Sequence, residues 1–209
     1  MKPENVLINS DGYIKITDFG LSKENVSDNY SAKSFCGTPE YLAPEIVESK
    51  GHGQAVDWWS LGSILFEMLT GMPPFYNKDR EKLFKSIKAI KIKFPKYLSP
   101  EAVDLLQKFF VKDPEKRLGS GENGLNDIKS HPFFAAIDWD SLLAKKIKPP
   151  FIPKLKNALD VRYIDKEFTA LPIKDSVGTG DSLGADEDNY GGFSYDPSKN
   201  IDKENENNI

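Results

Sequence analysis

Residues 1–23, MKPENVLINSDGYIKITDFGLSK, decide how the rest of the chain is read. Residues 6–8 and 13–17 are short apolar or β-branched runs joined by NSDG, and Asp11 with Gly12 suits a tight turn, so the two runs predict a β-hairpin. Lys2 and Asn5 in KPEN stand on one side of that hairpin and Asp18 in DFG on the other. A lysine, an asparagine and an aspartate at this spacing are the groups that phosphoryl transfer needs, because the charge gathered on the moving phosphoryl group has to be met by a cation and by metal ions on hard oxygen ligands.

Composition sets the frame for these residues. The chain has 209 residues, 39% of them hydrophobic and 11% aromatic, with a net charge of -4, which suits a soluble globular domain followed by a tail. A single cysteine, Cys36, and the lack of a long apolar run or secretory leader point to a reducing, cytoplasmic setting, without disulfides and without direct membrane contact. The 28 Lys and Arg are scattered among 32 Asp and Glu, so no basic footprint for nucleic acid forms. Two His and one Cys leave no zinc cluster.

Residues 21–45 are polar, Ser-rich and without sustained periodicity until GTPEYLAPE, which predicts a long loop with a task of its own. AVDWWSLGSILFEMLTGMPPF, residues 55–75, is apolar nearly all round and predicts a central helix stopped by Gly71 and by Pro73 and Pro74. Trp58, Trp59 and Phe66 on it read as core. REKLFKSIKAI is amphipathic, SPEAVDLLQKFF opens with Ser99 as N-cap and Pro100 at the first helical position, and GLNDIKSHPFF suggests a short last helix. Beyond about Pro150 apolar residues thin out into acidic, Gly-rich and Asn-rich sequence, interrupted by the aromatic cluster YGGFSY.

KPENVL, DFG, CGTPEYLAPE, DWWSLG and DPEKRLG follow one another over residues 2–119 in the order and spacing of the C-lobe of eukaryotic protein kinases. PPFIP, EFT and FSY resemble the C-terminal extension of AGC-group serine/threonine kinases, nearest the protein kinase B and serum-regulated branch. The resemblance covers residues 2–195 and implies a mainly α fold, a kinase-like C-lobe with a small β-hairpin and an extended C-terminal tail. It divides the chain into a partial catalytic domain over 1–134, the extension over 135–195 and a disordered acidic, Asn-rich tail over 196–209. In such kinases a His-Arg-Asp-Leu segment precedes the lysine that Lys2 matches. The sequence is therefore expected to be an N-terminally truncated kinase, lacking the Gly-rich loop, the N-lobe Lys–Glu pair, the hinge and the catalytic Asp. Alone it should be inactive and marginally folded, with one flank of the central helix bare.

The resemblance also implies roles. Asp18 bridges Mg2+ and the phosphates of ATP, Asn5 holds a second ion, and Lys2 neutralises the transferred phosphoryl group. Phe19 packs inside the lobe while Gly20 gives the backbone freedom to reorient. Ser34, four residues before Thr38, occupies the activating phosphosite addressed by an upstream kinase, and Ser176 and Ser194 are further phosphosites. Tyr190, Phe193 and Tyr195 form a docking plug for an N-lobe groove. Thr38 matches the residue that hydrogen-bonds the catalytic base and Lys2, and Thr38 with Pro39 is the serine/threonine-kinase pattern. Phe35, Pro39 and Leu42 line the pocket for the substrate residue after the acceptor. Glu67 is a carboxylate in an apolar run, so it either pairs internally or receives a cation, which by resemblance is an Arg upstream of the substrate Ser or Thr. Glu45 and Arg117 form a buried ion pair, and Asp57 braces the catalytic loop. The implied molecule is a monomer acting on protein substrates. The alternative is a non-catalytic scaffold or decoy that captures kinase regulators.

Overall fold

Asp11 and Gly12 close the first element. The Asp11 carboxylate accepts from the Tyr13 amide at 3.1 Å and from Asn9 Nδ2 at 3.0 Å, while Gly12 takes the left-handed φ of 85° that the turn requires. The turn pairs β1 (Val6–Ile8) with β2 (Ile14–Ile16) antiparallel, Val6 opposite Ile16 and Ile8 opposite Ile14. The computed structural model describes residues 1–23, 26, 28–89, 91–157 and 159–172. The chain divides into two units, Met1–Lys156 and Asn157–Ile209. Ser176, Tyr190, Phe193, Ser194 and Tyr195 lie outside the described residues.

The rest of the first unit is helical. A short α1 (Pro44–Val47) leads into α2 (Ala55–Thr70), which ends where Gly71 turns left-handed at φ 83° and returns its amide to the Glu67 carbonyl at 2.7 Å. Then come α3 (Arg80–Ala89) and α4 (Pro100–Phe109), the latter capped by the Ser99 hydroxyl accepting from the Ala102 amide at 3.2 Å. Two short helices, α5 (Leu125–Lys129) and α6 (Trp139–Leu143), complete the unit.

The core is organised around α2, as its all-round apolar sequence requires. Trp59 joins Ala43, Phe75, Leu83 and Ile87 in one cluster, whereas Trp58, Leu61 and Leu65 pack against Leu105, Phe109 and Ile128 in a second. Phe66 is buried and meets Phe94 and Phe110 edge-on. From the sequence, a bare apolar flank falls on this helix. The helix is instead largely covered, with Met68 its exposed large apolar residue, whereas Leu7, Ile8, Ile14 and Ile16 of the hairpin are uncovered. A two-stranded ribbon has two faces and no thickness of its own, so its apolar residues stay wet wherever no layer is laid on them.

One clasp does reach the hairpin. Lys145 Nζ lies 2.8 Å from Asp11 Oδ2 and 5.0 Å from the Tyr13 ring centroid, and the Tyr13 hydroxyl donates to the Ile147 carbonyl at 2.5 Å. The hydrogen bond from Lys145, with the amide of Tyr13, holds the Asp11 carboxyl down at about 2. The chain then crosses so close to the turn that a Cβ on Gly12 would lie 2.7 Å from the Pro149 Cβ.

The second unit contributes one short helix, α7 (Lys166–Thr169), opened by the Asp165 carboxylate accepting from the Glu167 amide at 2.9 Å. Arg162 Nε pairs with Asp160 Oδ2 at 2.9 Å. Among the described residues no helix is long and apolar enough to cross a membrane.

Candidate active site

The two expected metal ligands meet. Pro3–Asn5 forms a 3-10 turn just before β1. The Asn5 carbonyl at its end accepts from both the amide and the hydroxyl of Thr17, at 2.9 and 3.2 Å. This fixes the exit of β2 against the turn, and the next residue, Asp18, adopts a left-handed φ of 60°. Its Oδ2 then lies 3.3 Å from Asn5 Nδ2. A half-turn of the Asn5 amide replaces that nitrogen with Oδ1, giving two hard oxygens at one point. Such a pair suits Mg2+, which keeps several waters and shares its coordination with substrate phosphates rather than requiring an all-protein cage. Among the described residues no group of three or more His, Cys, Asp or Glu forms a different metal centre.

Two details depart from expectation beside it. Phe19 does not pack inside the lobe but is 66% exposed, with Leu21 equally bare, because the described chain lays no layer over this end of the hairpin. The unusual backbone belongs to Asp18 rather than to Gly20, which is not among the left-handed glycines. No hydrogen bond joins Lys2 to Thr38 among the described residues; Lys2 precedes the Pro3–Asn5 turn and Thr38 precedes the turn Pro39–Tyr41.

The loop after DFG is held along its first half by the start of α2. Ala32 and His52 exchange backbone hydrogen bonds at 3.0 and 2.8 Å. Asn29 accepts from the Ala55 amide at 3.4 Å and donates to Glu115 at 3.1 Å, and Gln54 donates to the Val26 carbonyl at 3.1 Å. Gly53 is necessary here, since a Cβ would overlap the Asp28 carbonyl oxygen. Burial, helped by the charge of Lys23, holds His52 below its ordinary pKa of 6.5. Ser34 is half-buried, its hydroxyl facing the Cys36 thiol at 3.7 Å.

The far end of the loop is fixed by the expected pair. Arg117 Nη1 lies 2.6 Å from Glu45 Oε1 and Nη2 lies 2.9 Å from Oε2, with Arg117 1% and Glu45 4% exposed. The remaining guanidinium donors go to the carbonyls of Val111, Ala55 and Lys112, and the cation sits 5.2 Å over the Trp59 ring. All five N–H groups are used, the condition under which a buried ion pair is tolerable. Asp57, in the first turn of α2, is exposed.

The expected substrate residues separate. Leu42 is buried and Pro39 half-buried, whereas Phe35 is 47% exposed and meets Phe84 edge-on at 5.8 Å. Glu67, half-buried, accepts a 2.6 Å hydrogen bond from the Tyr41 hydroxyl through Oε2. Burial and then this carboxylate raise the Tyr41 hydroxyl pKa, and the charges of Glu4 and Glu40 act in the same direction. Three carboxylates thus share one neighbourhood, although the sequence singled out Glu67 alone.

The protein kinase domain model matches residues 1–134. The chain belongs to the protein kinase family. A second model, the protein kinase C terminal domain, matches residues 155–195. The chain is 50% identical over 173 residues to RAC-beta serine/threonine-protein kinase of Homo sapiens, covering 83% of this chain and 36% of that protein. It is 46% identical over 199 residues to the RAC serine/threonine-protein kinase of Drosophila melanogaster, covering 93% of this chain and 32% of that protein. Against ribosomal protein S6 kinase alpha-3 of Homo sapiens it is 48% identical over 195 residues, 93% of this chain and 26% of that protein. The chain thus spans between about a quarter and just over a third of the length of these relatives.

Proposed function

We propose that this chain carries the metal-binding and peptide-binding part of an ATP-dependent serine/threonine protein kinase of the AGC group, acting as a cytoplasmic monomer on sites with Arg a few residues before the acceptor. The observation that supports it is the approach of Asp18 to Asn5 at 3.3 Å, from the two strands at the open end of the hairpin. Mg2+ held by these two side chains supplies the charge neutralisation that the transferring phosphoryl group needs. Asn5 and Asp18 orient that charge, and Lys2 adds a fixed cation beside it. Glu67 receives the substrate Arg, steadied through Oε2 by Tyr41 and aided by Glu4 and Glu40. Thr38 approaches the base and Lys2 only when a complete site closes. Residues 1–134 form the catalytic lobe, 135–195 the regulatory extension, and 196–209 a tail. Ser34, Ser176 and Ser194 take regulatory phosphates, the first from an upstream kinase, and Tyr190, Phe193 and Tyr195 dock the extension.

The test is peptide phosphorylation by the protein purified through a tag at its own locus. Transfer from ATP should require Mg2+ and be lost in Asp18→Asn. Glu67→Gln should reduce the preference for an upstream Arg by about tenfold, the worth of one hydrogen bond to a charged group. No ATP-dependent transfer, or equal rates on Arg-containing and Arg-free peptides, would overturn the proposal.

A further inference from the structure

We propose that Arg80 is a specificity-determining residue that selects an acidic side chain on the C-terminal side of the acceptor Ser or Thr. The inference rests on the kinase reading above and on the role that the resemblance implies for Phe35, at the edge of the pocket for the residue after the acceptor. Arg80 is the first residue of α3 and is exposed. Its guanidinium carbon lies 5.3 Å from the Phe84 ring centroid and 6.0 Å from that of Phe35, the two rings meeting edge-on at 5.8 Å. Phe35 belongs to the loop after DFG, three residues before Thr38, so the cation is held against the segment that would face the peptide. A guanidinium stacked on rings keeps the N–H donors at its edge free for a carboxylate, and its planar fork loses little freedom on taking one.

The charges around it point the same way. A cation in the first turn of a helix opposes the macrodipole, so Arg80 gains nothing from its place in α3. The adjacent carboxylate is already used: Asp79 Oδ1 accepts from the amides of Glu81 and Lys82 at 2.9 and 3.2 Å, and Oδ2 faces Lys82 Nζ at 3.5 Å. Among the described residues no carboxylate lies within ion-pair distance of Arg80. A fixed cation without an anion, resting on an exposed aromatic of the substrate segment, suits a carboxylate that arrives with the peptide.

The experiment measures binding of two fluorescein-labelled peptides to the purified 209-residue chain by anisotropy. Both peptides carry Arg upstream of Ser and an apolar residue after it, followed by Glu in one and Lys in the other. At low salt the Glu peptide should bind about fivefold more tightly, as one partly exposed ion pair allows, and the difference should shrink in 0.5 M salt, where the screening length is only a few ångströms. Arg80→Met, which keeps the apolar stem over the rings, should level the two affinities, and Arg80→Glu should invert them. Absence of a Glu preference in the unmodified chain, or the same preference in all three proteins, would overturn the assignment. Phosphorylation by the protein from its own cells separates this reading from the previous one. A Glu preference in binding without any phosphate transfer removes the kinase proposal and leaves Arg80 as a peptide-binding residue. Transfer at equal rates to both peptides removes the role of Arg80 alone.

Discussion

Removing Arg117 should damage the chain more than the loss of one ion pair does, and by an amount that can be worked out. Arg117→Met leaves Glu45 buried without its cation, which costs about 3–5 kcal/mol at a site where Glu45 is only 4% exposed. The substitution also strips donors from the Val111 and Ala55 carbonyls, now served at 2.9 and 2.8 Å, at about 1–3 kcal/mol each where water does not enter. Against a net stability of about 5–15 kcal/mol, the single variant should lose most of its folded population. The double variant Glu45→Leu with Arg117→Met removes both charges, so it should recover about 3 kcal/mol of that loss, yet remain less stable than the unmodified chain because the carbonyls stay unserved. Urea unfolding followed by tryptophan fluorescence reports on Trp59, over which Arg117 is stacked, together with Trp58 and Trp139. With a slope of about 2 kcal/mol per molar, a loss of 4 kcal/mol moves the midpoint by about 2 M. If Arg117→Met falls within about 1 kcal/mol of the unmodified chain, the reasoning fails. A double variant as stable as the original would show that the carbonyl contacts contribute nothing.

Gly12→Ala should release the clasp over the hairpin, because the turn needs φ 85° and the new Cβ meets Pro149; trypsin should cut after Lys145 and Lys146 several-fold faster, and unchanged cleavage would refute it. The hold on the loop after DFG should weaken in mild acid. His52 has a folded pKa below its ordinary 6.5, so the unfolded chain binds the proton more readily; the stability is full above about pH 6.5 and falls as the pH drops through the folded value. Hydrogen exchange at the Ala32 amide, corrected for its intrinsic rate, should show protection declining between pH 7 and 5, and a flat profile would count against it. Mn2+ added to the labelled chain should broaden the Asn5 and Thr17 amide signals weakly, and not in Asp18→Asn; equal broadening in both would place the ion elsewhere.

The hairpin, α2, α3, α4 and the short α5 are all readable from local sequence, because each carries its own signal: Asp11 and Gly12 for the turn, an apolar run closed by Gly71, Ser99 with Pro100 for a capped start. The short helices α1, α6 and α7 are not, since four or five residues give periodicity little room to show, and α5, equally short, is placed by the sequence no more narrowly than GLNDIKSHPFF. Glu45 with Arg117, and Asn5 with Asp18, come from motif register, and the structure brings each pair together. Phe19 shows the limit of that register, which names a residue without naming what covers it. Tyr41 as the partner of Glu67, Asn29 as a bridge to α2 and Arg80 beside Phe35 join positions 26, 26 and 45 residues apart, and no local pattern encodes such meetings.

The left-handed backbone at Asp18 bears on how any inactive form of this protein should be made. Alanine is the habitual replacement for an aspartate proposed to hold a metal, but at φ 60° it does two things at once. It removes the carboxylate, and it asks a residue with no polar side chain to stay where L-residues other than Asn, Asp and Gly rarely rest. An alanine variant therefore invites the peptide plane to flip and carry Phe19 and Gly20 with it, so a lost function would report a moved loop as readily as a lost charge. Asparagine keeps both the shape and the conformational preference, and glycine keeps the conformation alone. Comparing asparagine with the unmodified chain isolates what the negative charge does, and comparing alanine with glycine isolates what the backbone does.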